Sequence, residues 1–247
     1  MKRYVPLLFL TLLTIIFDGC KKDPEPIEIA GYQQYGEPFS NVPVTNDIVM
    51  YEVNLRAFSQ DGNLAGVQQK LDHLASLGVN VIWLMPIQTN GGPLNSPYCI
   101  SNFYEVDEEY GTLEDLRTFV AEAHNRNMAV ILDWVANHTS WDHPWIDSTG
   151  WHSTDAQGNI IHPSGTNWTD VADLNFDNTA LQEQMIDAMR YWVLEANVDG
   201  YRCDAADYVP FNFWQKAIDS LRSIPNREII MLAEGARVDH FCLLYTS

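Results

Sequence analysis

The hydrophobic residues of this chain alternate between short, continuously apolar runs and longer segments with helical spacing. Five of the apolar runs predict strands, at residues 47–53, 79–84, 129–134, 198–204 and 228–233. Helical spacing and helix caps predict helices at residues 64–77, 112–124, 178–197 and 211–224. Apolar strands separated by helices indicate a parallel sheet covered on both faces, and therefore an α/β fold.

The spacing of the strands narrows the fold class. The first two predicted strands begin about 30 residues apart, as do the last two, which is the length of a minimal βαβ unit. Such units build either a doubly wound sheet or a (β/α) barrel that is incomplete in this chain. A dinucleotide-binding sheet has a glycine-rich turn after its first strand, whereas residues 55–59 contain no glycine. We therefore expect no dinucleotide site.

Composition limits the classes of partner. The 247 residues include 33 Asp and Glu but only 14 Lys and Arg, which gives a formal net charge of -19. A surface this acidic argues against nucleic acid and against an anionic membrane surface as partners. Five of the 8 Trp lie between residues 134 and 168, and Trp in loops often contacts a flat, partly apolar ligand.

The N-terminus has the order of a secretory signal, with a positively charged start, an apolar run over residues 4–17, and Cys20. We interpret residues 1–20 as a lipoprotein-type signal peptide that is cleaved and lipidated at Cys20. Ordinary secretion and an uncleaved anchor are the alternatives. Residues 21–46 begin rich in Pro and charge, and we interpret them as a tether. This predicts a lipid anchor in the bacterial cell envelope, at the outer membrane or cell surface, with a secreted or periplasmic protein as the alternative.

Carboxylates accompany the ends of three consecutive predicted strands, in the form of Asp133, Asp204 and Glu234. A single Asp after a strand is often only a helix cap. Three in succession indicate an active face, because a barrel carries its catalytic groups at this edge. Arg202 lies two residues before Asp204, on the same face of the strand, where it can keep Asp204 ionised. Glycosidic cleavage needs such a carboxylate pair, with one nucleophile and one acid/base.

Five motifs together resemble the alpha-amylase family, glycoside hydrolase family 13. They are Asp-Trp-Val-Ala-Asn-His at 133–138, Gly-Tyr-Arg-Cys-Asp at 200–204, Glu234 after an apolar strand, Val-Ala-Asp-Leu-Asn at 171–175, and the stretch 98–112. The resemblance covers about residues 47–239. It implies a (β/α)8 TIM barrel, of which this chain holds strands one to five, with a small inserted domain after strand three. The implied partial catalytic domain spans residues 47–247, and the inserted domain spans about 139–177.

The resemblance implies a role for each matching residue. Asp204 would be the nucleophile that forms a covalent glycosyl-enzyme, and Glu234 would be the general acid and then the base. Arg202 would hold the nucleophile. His138 would hydrogen-bond the sugar at the cleavage point, and Tyr98 would stack under it. The bare residue pattern leaves open a core histidine for His138 and ordinary loop packing for Tyr98.

The resemblance also implies a structural calcium ion with Asn137 and Asp173 among its ligands. An amide oxygen and a carboxylate suit this hard cation, which prefers oxygen donors. Without the resemblance, Asn137 is also compatible with a loop-bonding amide and Asp173 with an Asx turn.

By resemblance, the protein is expected to be a glycosidase that cleaves alpha-1,4-glucosidic bonds of starch and maltodextrin with retention of configuration. Alpha-glucans are thus its expected partners. A cyclomaltodextrinase, a neopullulanase or a glucanotransferase is the alternative within the family, and a non-catalytic glycan-binding relative is the alternative of another class. The presence of Asp204, Glu234 and Arg202 argues against a non-catalytic role. Asp207 and Tyr208 stand where amylases often have Lys-His, which leaves the specificity open.

The end of the chain departs from the family pattern. A His-Asp signature that supplies a third catalytic carboxylate would lie beyond a sixth strand, and the chain stops 13 residues after Glu234. Residues 241–247 do not match the segment after strand five in the family. We therefore expect a truncated sequence with a few foreign residues at its end, and we expect the 247 residues on their own to be inactive.

Overall fold

The computed structural model describes residues 31–92, 94 and 96–237. The interpreted signal peptide and residues 241–247 lie outside the described residues. A compact unit begins at Gly31. Within the described ranges, no helix combines the length and the apolar character needed to cross a membrane.

Nine strands and six α-helices follow one another along the described residues. The strands are β1 Met50–Val53, β2 Val81–Leu84, β3 Gln88–Asn90, β4 Ile100–Val106, β5 Ala129–Trp134, β6 His138–Ser140, β7 Val171–Asp173, β8 Gly200–Cys203 and β9 Ile230–Ala233. The helices are α1 Leu55–Phe58, α2 Leu64–Gln68, α3 Leu71–Ser76, α4 Leu113–His124, α5 Thr179–Glu195 and α6 Phe211–Arg222.

Five strands form one parallel sheet in the order β1-β2-β5-β8-β9, which confirms the predicted parallel sheet. Along the chain, each successive strand of this sheet pairs with the preceding one and extends the sheet in the same direction. A doubly wound sheet instead reverses its strand order at a switch point, so this order excludes that alternative for the described part of the chain. All six residues of β5 are buried, as expected for the central strand of a sheet covered on both faces.

The helix caps expected from the sequence are present. Thr112 and Asp115 form a reciprocal capping box at the start of α4. Asn178 accepts hydrogen bonds from two backbone N–H groups at the start of α5. The single helix expected over residues 64–77 is instead two helices, because the chain turns at residue 70, whose N–H bonds the carbonyl three residues back at Val67.

Two antiparallel pairs lie outside the main sheet. The glycine- and proline-rich loop after β2 contains the hairpin β3–β4. The irregular stretch after β5 contains the pair β6–β7, in which His138 lies opposite Asp173. This small ladder closes the segment inserted between β5 and α5 onto the carboxyl end of β5.

The start of the compact unit packs on the sheet and its helices. The Phe39 side chain is 8% exposed and its ring stacks on that of His124, with centroids 4.4 Å apart. The Tyr35 N–H bonds the Leu194 carbonyl at 2.8 Å. Residues 31–46, predicted to be part of the tether, therefore belong to the folded unit, because the Phe39 side chain is buried and the Tyr35 backbone is hydrogen-bonded to α5.

Candidate active site

Four charged residues meet at the carboxyl edge of the parallel sheet. Asp133 is near the end of β5 and lies opposite Arg202 of β8 in the register. Asp204 follows β8, and Glu234 follows β9. Parallel strands end at the same edge of a sheet. The sheet therefore brings together side chains that are far apart in sequence, and the first and last of them, Asp133 and Glu234, are separated by 101 positions.

The guanidinium of Arg202 holds three carboxyl groups. Its Nη1 lies 2.9 and 3.0 Å from the two oxygens of Asp133 and 2.8 Å from Oδ1 of Asp204. Its Nη2 lies 2.8 Å from Oε2 of Glu234. The Arg202 side chain is 8% exposed and its guanidinium carbon lies 4.8 Å from the ring centroid of Trp83. The planar fork of the guanidinium therefore sets the relative positions of all three acids.

Burial and mutual repulsion raise the pKa values of the two inner carboxyls. Burial raises the pKa of Asp133 to about 7, and the positive charge of Arg202 opposes this rise. Burial also raises the pKa of Asp204 to about 6, with Arg202 again opposing and the charge of Glu234 adding to the rise. Asp204 is therefore mostly ionised at neutral pH, as a carboxylate nucleophile must be.

Asp133 has no contact with solvent and is fully engaged by protein groups. Besides Arg202, it accepts hydrogen bonds from Nε1 of Trp83 at 3.1 Å and from the Tyr98 hydroxyl at 3.3 Å. The position of Asp133 suits it to hold Arg202 rather than to meet a ligand.

A cavity of about 340 Å³ opens beside these carboxyls. Its lining includes Tyr98, His138, Trp168, Asp170, Asp204 and Glu234. The structure thus brings the predicted nucleophile, acid/base and sugar-contacting residues to one cavity. Trp168 and Asp170 were not assigned to the site from the sequence. The clustering of Trp between residues 134 and 168 indicated a ligand site, but it did not show which Trp side chain would contact the ligand.

His138 is fixed by protein groups at both ring nitrogens. Its Nε2 lies 3.2 Å from the Tyr98 carbonyl oxygen, and its Nδ1 lies 3.3 Å from the amide nitrogen of Asn137. The carbonyl can only accept and the amide nitrogen can only donate, which assigns the proton to Nε2. Burial lowers the pKa of His138 to about 4, so the ring is neutral at pH 7.

Asn137 and Asp173, the predicted calcium ligands, lie at the same end of the β6–β7 ladder. Asn137 directly precedes β6, and Asp173 ends β7 opposite His138. Asn137 is buried, and burial raises the pKa of Asp173, although the neighbouring Ser153 opposes this rise. An amide and a carboxylate fit a calcium site by their chemistry. No group of three or more His, Cys, Asp or Glu with metal-binding geometry occurs in the described part of the chain, so carbonyls and water would complete any such site.

A family model and two curated proteins similar in sequence to this chain all point to alpha-amylases or related enzymes. The family model described as the alpha-amylase catalytic domain matches residues 33–160 and 165–231. Alpha-amylase 3 of Dictyoglomus thermophilum is 30% identical over 215 residues, which cover 74% of this chain and 42% of that protein. The trehalose synthase/amylase TreS of Mycobacterium tuberculosis is 36% identical over 199 residues, which cover 65% of this chain and 33% of that protein.

Solved structures that are similar to this chain include two alpha-amylases. An alpha-amylase from Lactobacillus plantarum superposes with a TM-score of 0.73 and 37% identity, over 78% of this chain and 46% of that one. An alpha-amylase from Geobacillus thermoleovorans, complexed with acarbose, superposes with a TM-score of 0.68 and 31% identity, over 79% and 48%. These likenesses support an α/β fold of the (β/α)8 type. The chain spans less than half the length of each of these relatives.

Proposed function

Because this chain belongs to the alpha-amylase family, we propose that it carries the catalytic carboxylates of a glycosidase that cleaves alpha-1,4-glucosidic bonds of alpha-glucans with retention of configuration. Starch and maltodextrin are the proposed substrates. The support is the arrangement of Asp204 and Glu234 around Arg202, at the edge of the sheet and on the wall of the cavity.

In the first step, a carboxylate oxygen of Asp204 attacks the anomeric carbon, and the bond from that carbon to the leaving oxygen breaks. Protonated Glu234 gives its proton to the leaving oxygen, which departs as a hydroxyl of the released sugar. The product is a glycosyl ester on Asp204. Arg202 keeps the attacking oxygen oriented and ionised until the bond forms.

In the second step, water attacks the anomeric carbon of the ester. Glu234, now ionised, takes a proton from the water, and the bond to Asp204 breaks with its electron pair returning to the carboxylate. Two inversions at one carbon give net retention. The buried, neutral ring of His138 and the Tyr98 side chain stand at the cavity wall, where they would position the sugar.

The single observation that carries the proposal is the shared guanidinium of Arg202, 2.8 Å from an oxygen of each catalytic carboxyl. An inverting site keeps its carboxyls about 6.5–9.5 Å apart to admit water, whereas a retaining site needs only about 5–5.5 Å. We therefore expect the carboxyl groups of Asp204 and Glu234 to stand about 5–5.5 Å apart when a sugar is bound.

Covalent trapping tests the proposal directly. The protein is made from the complete open reading frame that encodes residues 31–237 and is treated with a 5-fluoro maltosyl fluoride, which slows hydrolysis of the ester. Peptide mass mapping should find the fluorosugar on Asp204. A label on another residue, or turnover of starch without any trapped ester, would contradict the assigned nucleophile.

Substitution of the acid/base gives an independent check. Glu234→Gln should lower turnover of starch by about 10²–10⁴-fold, the usual contribution of general acid–base catalysis. The loss in kcat/KM should be small for aryl maltosides with acidic phenol leaving groups, which depart without protonation. Asp219→Asn, the same kind of change at an exposed position of α6, is the matched control and should leave both activities intact. Equal losses on both substrates would remove the acid role from Glu234.

Glucosyl transfer in place of hydrolysis is the second candidate, and the trehalose synthase/amylase relatives favour it. Both reactions use the same glycosyl ester and differ in whether water or a sugar hydroxyl attacks it. Product analysis by NMR separates them, because hydrolysis raises the number of reducing ends, whereas transfer leaves it constant or, when the acceptor is an anomeric hydroxyl, lowers it.

We also propose the calcium ion and the lipid anchor that the sequence predicts. Asn137 and Asp173 would supply two of the calcium ligands, and the ion would hold the segment inserted after β5 to the carboxyl end of that strand. The anchor would be attached at Cys20, and it would place the enzyme at the bacterial cell envelope, where extracellular glucans are met.

A further inference from the structure

The loop after β8 holds the segment that carries Glu234. Within this loop, the N–H of Ala205 donates to Oε2 of Glu234 at 3.0 Å, and the N–H of Ala206 donates to the Glu234 carbonyl at 2.9 Å. The side-chain carboxyl and the backbone carbonyl of Glu234 are therefore each hydrogen-bonded to one of two successive amides.

Asp207 continues the same loop and holds the next stretch of backbone. Its Oδ2 accepts from the Ala236 N–H at 2.7 Å, and its Oδ1 accepts from the Arg237 N–H at 3.3 Å. Hydrogen bonds to an ionised acceptor are the stronger class. Three successive residues, 205 to 207, therefore fasten the backbone from residue 234 to residue 237.

Gly235 leaves the space that this arrangement requires. A Cβ at position 235 would lie 2.4 Å from Oδ1 of Asp207 and 2.8 Å from its Cγ. Any larger residue would push the Asp207 carboxylate away from the two amides. The Asp207 carboxylate therefore occupies the space that a side chain at position 235 would need, and only glycine fits there.

The loop also has a strained backbone where it turns. Ala205 has φ 44° and ψ 42°, a left-handed conformation that is costly for a residue with a Cβ. This turn directs the Ala205 N–H at Glu234 and brings Asp207 over Gly235. Strain of this kind persists where the surrounding contacts enforce it, here the four hydrogen bonds to residues 234–237.

We propose that Asp207 is a positioning residue for the general acid/base Glu234, an inference that rests on the proposed glycosidase function. The Glu234 side chain is 56% exposed and its carboxyl is held by Arg202 and by the Ala205 amide. Its reach into the cavity therefore depends on where its backbone lies. Loss of the Asp207 carboxylate frees residues 235–237 and lets Glu234 move away from the leaving oxygen, and a displacement of about 1 Å can cost about 10²-fold in rate.

The test compares Asp207→Ala with Asp219→Ala, the same change at an exposed position of α6, in the protein from the complete open reading frame. For Asp207→Ala we expect kcat/KM on maltopentaose to fall about 10–100-fold. On a dinitrophenyl maltoside, whose leaving group needs no proton, kcat/KM should fall less than about 3-fold. Gly235→Ala should give the same split, because it displaces the Asp207 carboxylate without removing it. Equal losses on the two substrates, or no loss beyond the control, would overturn the proposal.

Hydrogen–deuterium exchange separates this inference from the proposed function. Amides in residues 234–237 should exchange faster in Asp207→Ala than in the unaltered protein and in Asp219→Ala. Unchanged exchange overturns the positioning role whatever the activity. Failure of the unaltered protein to cleave either substrate would instead count against the proposed function, while faster exchange in that case would still support the role of Asp207 in holding Glu234.

Discussion

Arg202→Met should destabilise the protein strongly at pH 8 and much less at pH 5. The guanidinium is 8% exposed and pairs with Asp133, which is 0% exposed, and with Asp204, which is 13% exposed. Removal of one partner from a buried ion pair costs about 3–5 kcal/mol, because the remaining charge is left uncompensated. The third contact, to the half-exposed Glu234, should add little.

The pH dependence arises from the two buried carboxyls. Burial raises their pKa values to about 7 for Asp133 and about 6 for Asp204, although Arg202 lowers both. Without Arg202 both values rise further. The unfolded chain releases these protons near pH 4, so the folded variant binds more protons than the unfolded chain from about pH 4 to pH 7 and above. Its stability therefore falls as pH rises through this window, and at pH 5 both carboxyls are neutral.

Urea unfolding monitored by Trp fluorescence at pH 5 and pH 8 measures the effect. At pH 8 we expect a loss of about 3–5 kcal/mol, and at pH 5 a loss of about 1–3 kcal/mol, the cost of neutral buried groups that lack partners. Arg126→Met is the control, because Arg126 pairs with Asp72 and Glu122 at the surface. That variant should show only a small loss of stability, equal at both pH values, because exposed ion pairs contribute little. The same loss at pH 5 and pH 8 for Arg202→Met would refute the reasoning.

Three further predictions concern stability and location. Thr112→Ala removes the capping box with Asp115 and should lower the free energy of unfolding by about 1 kcal/mol, and a urea midpoint equal to that of the unaltered protein would contradict this. Chelation of calcium should increase proteolysis within residues 139–175 before the rest of the protein, so calcium-independent cleavage there would remove the proposed ion. Cys20→Ala should release the protein from the membrane fraction and abolish lipid labelling, whereas equal solubility of the two forms would favour simple secretion.

Local pattern was sufficient to predict the strands of the main sheet and the charged residues at its edge. The continuous apolar run over residues 129–134 identified a strand buried on both faces, and the structure buries every residue of β5. Thr112 and Asn178 identified the starts of two helices, because a cap is a contact between residues close in sequence. Asp204 and Glu234 could be selected from the chain because each comes directly after a strand, and parallel strands end together.

Contacts between distant segments settled the points that local pattern left open. The choice between a doubly wound sheet and a barrel-type order depended on which strands pair, a matter of long-range register. The position of Trp168 at the cavity, and the attachment of residues 31–46 to the body, depended on surfaces supplied by other elements. The link from Asp207 to the backbone beside Glu234 joins two strand ends that are 29 positions apart. Such contacts stabilise the fold only after the sheet has brought distant residues together. They therefore leave no periodic pattern in the sequence from which they could be predicted.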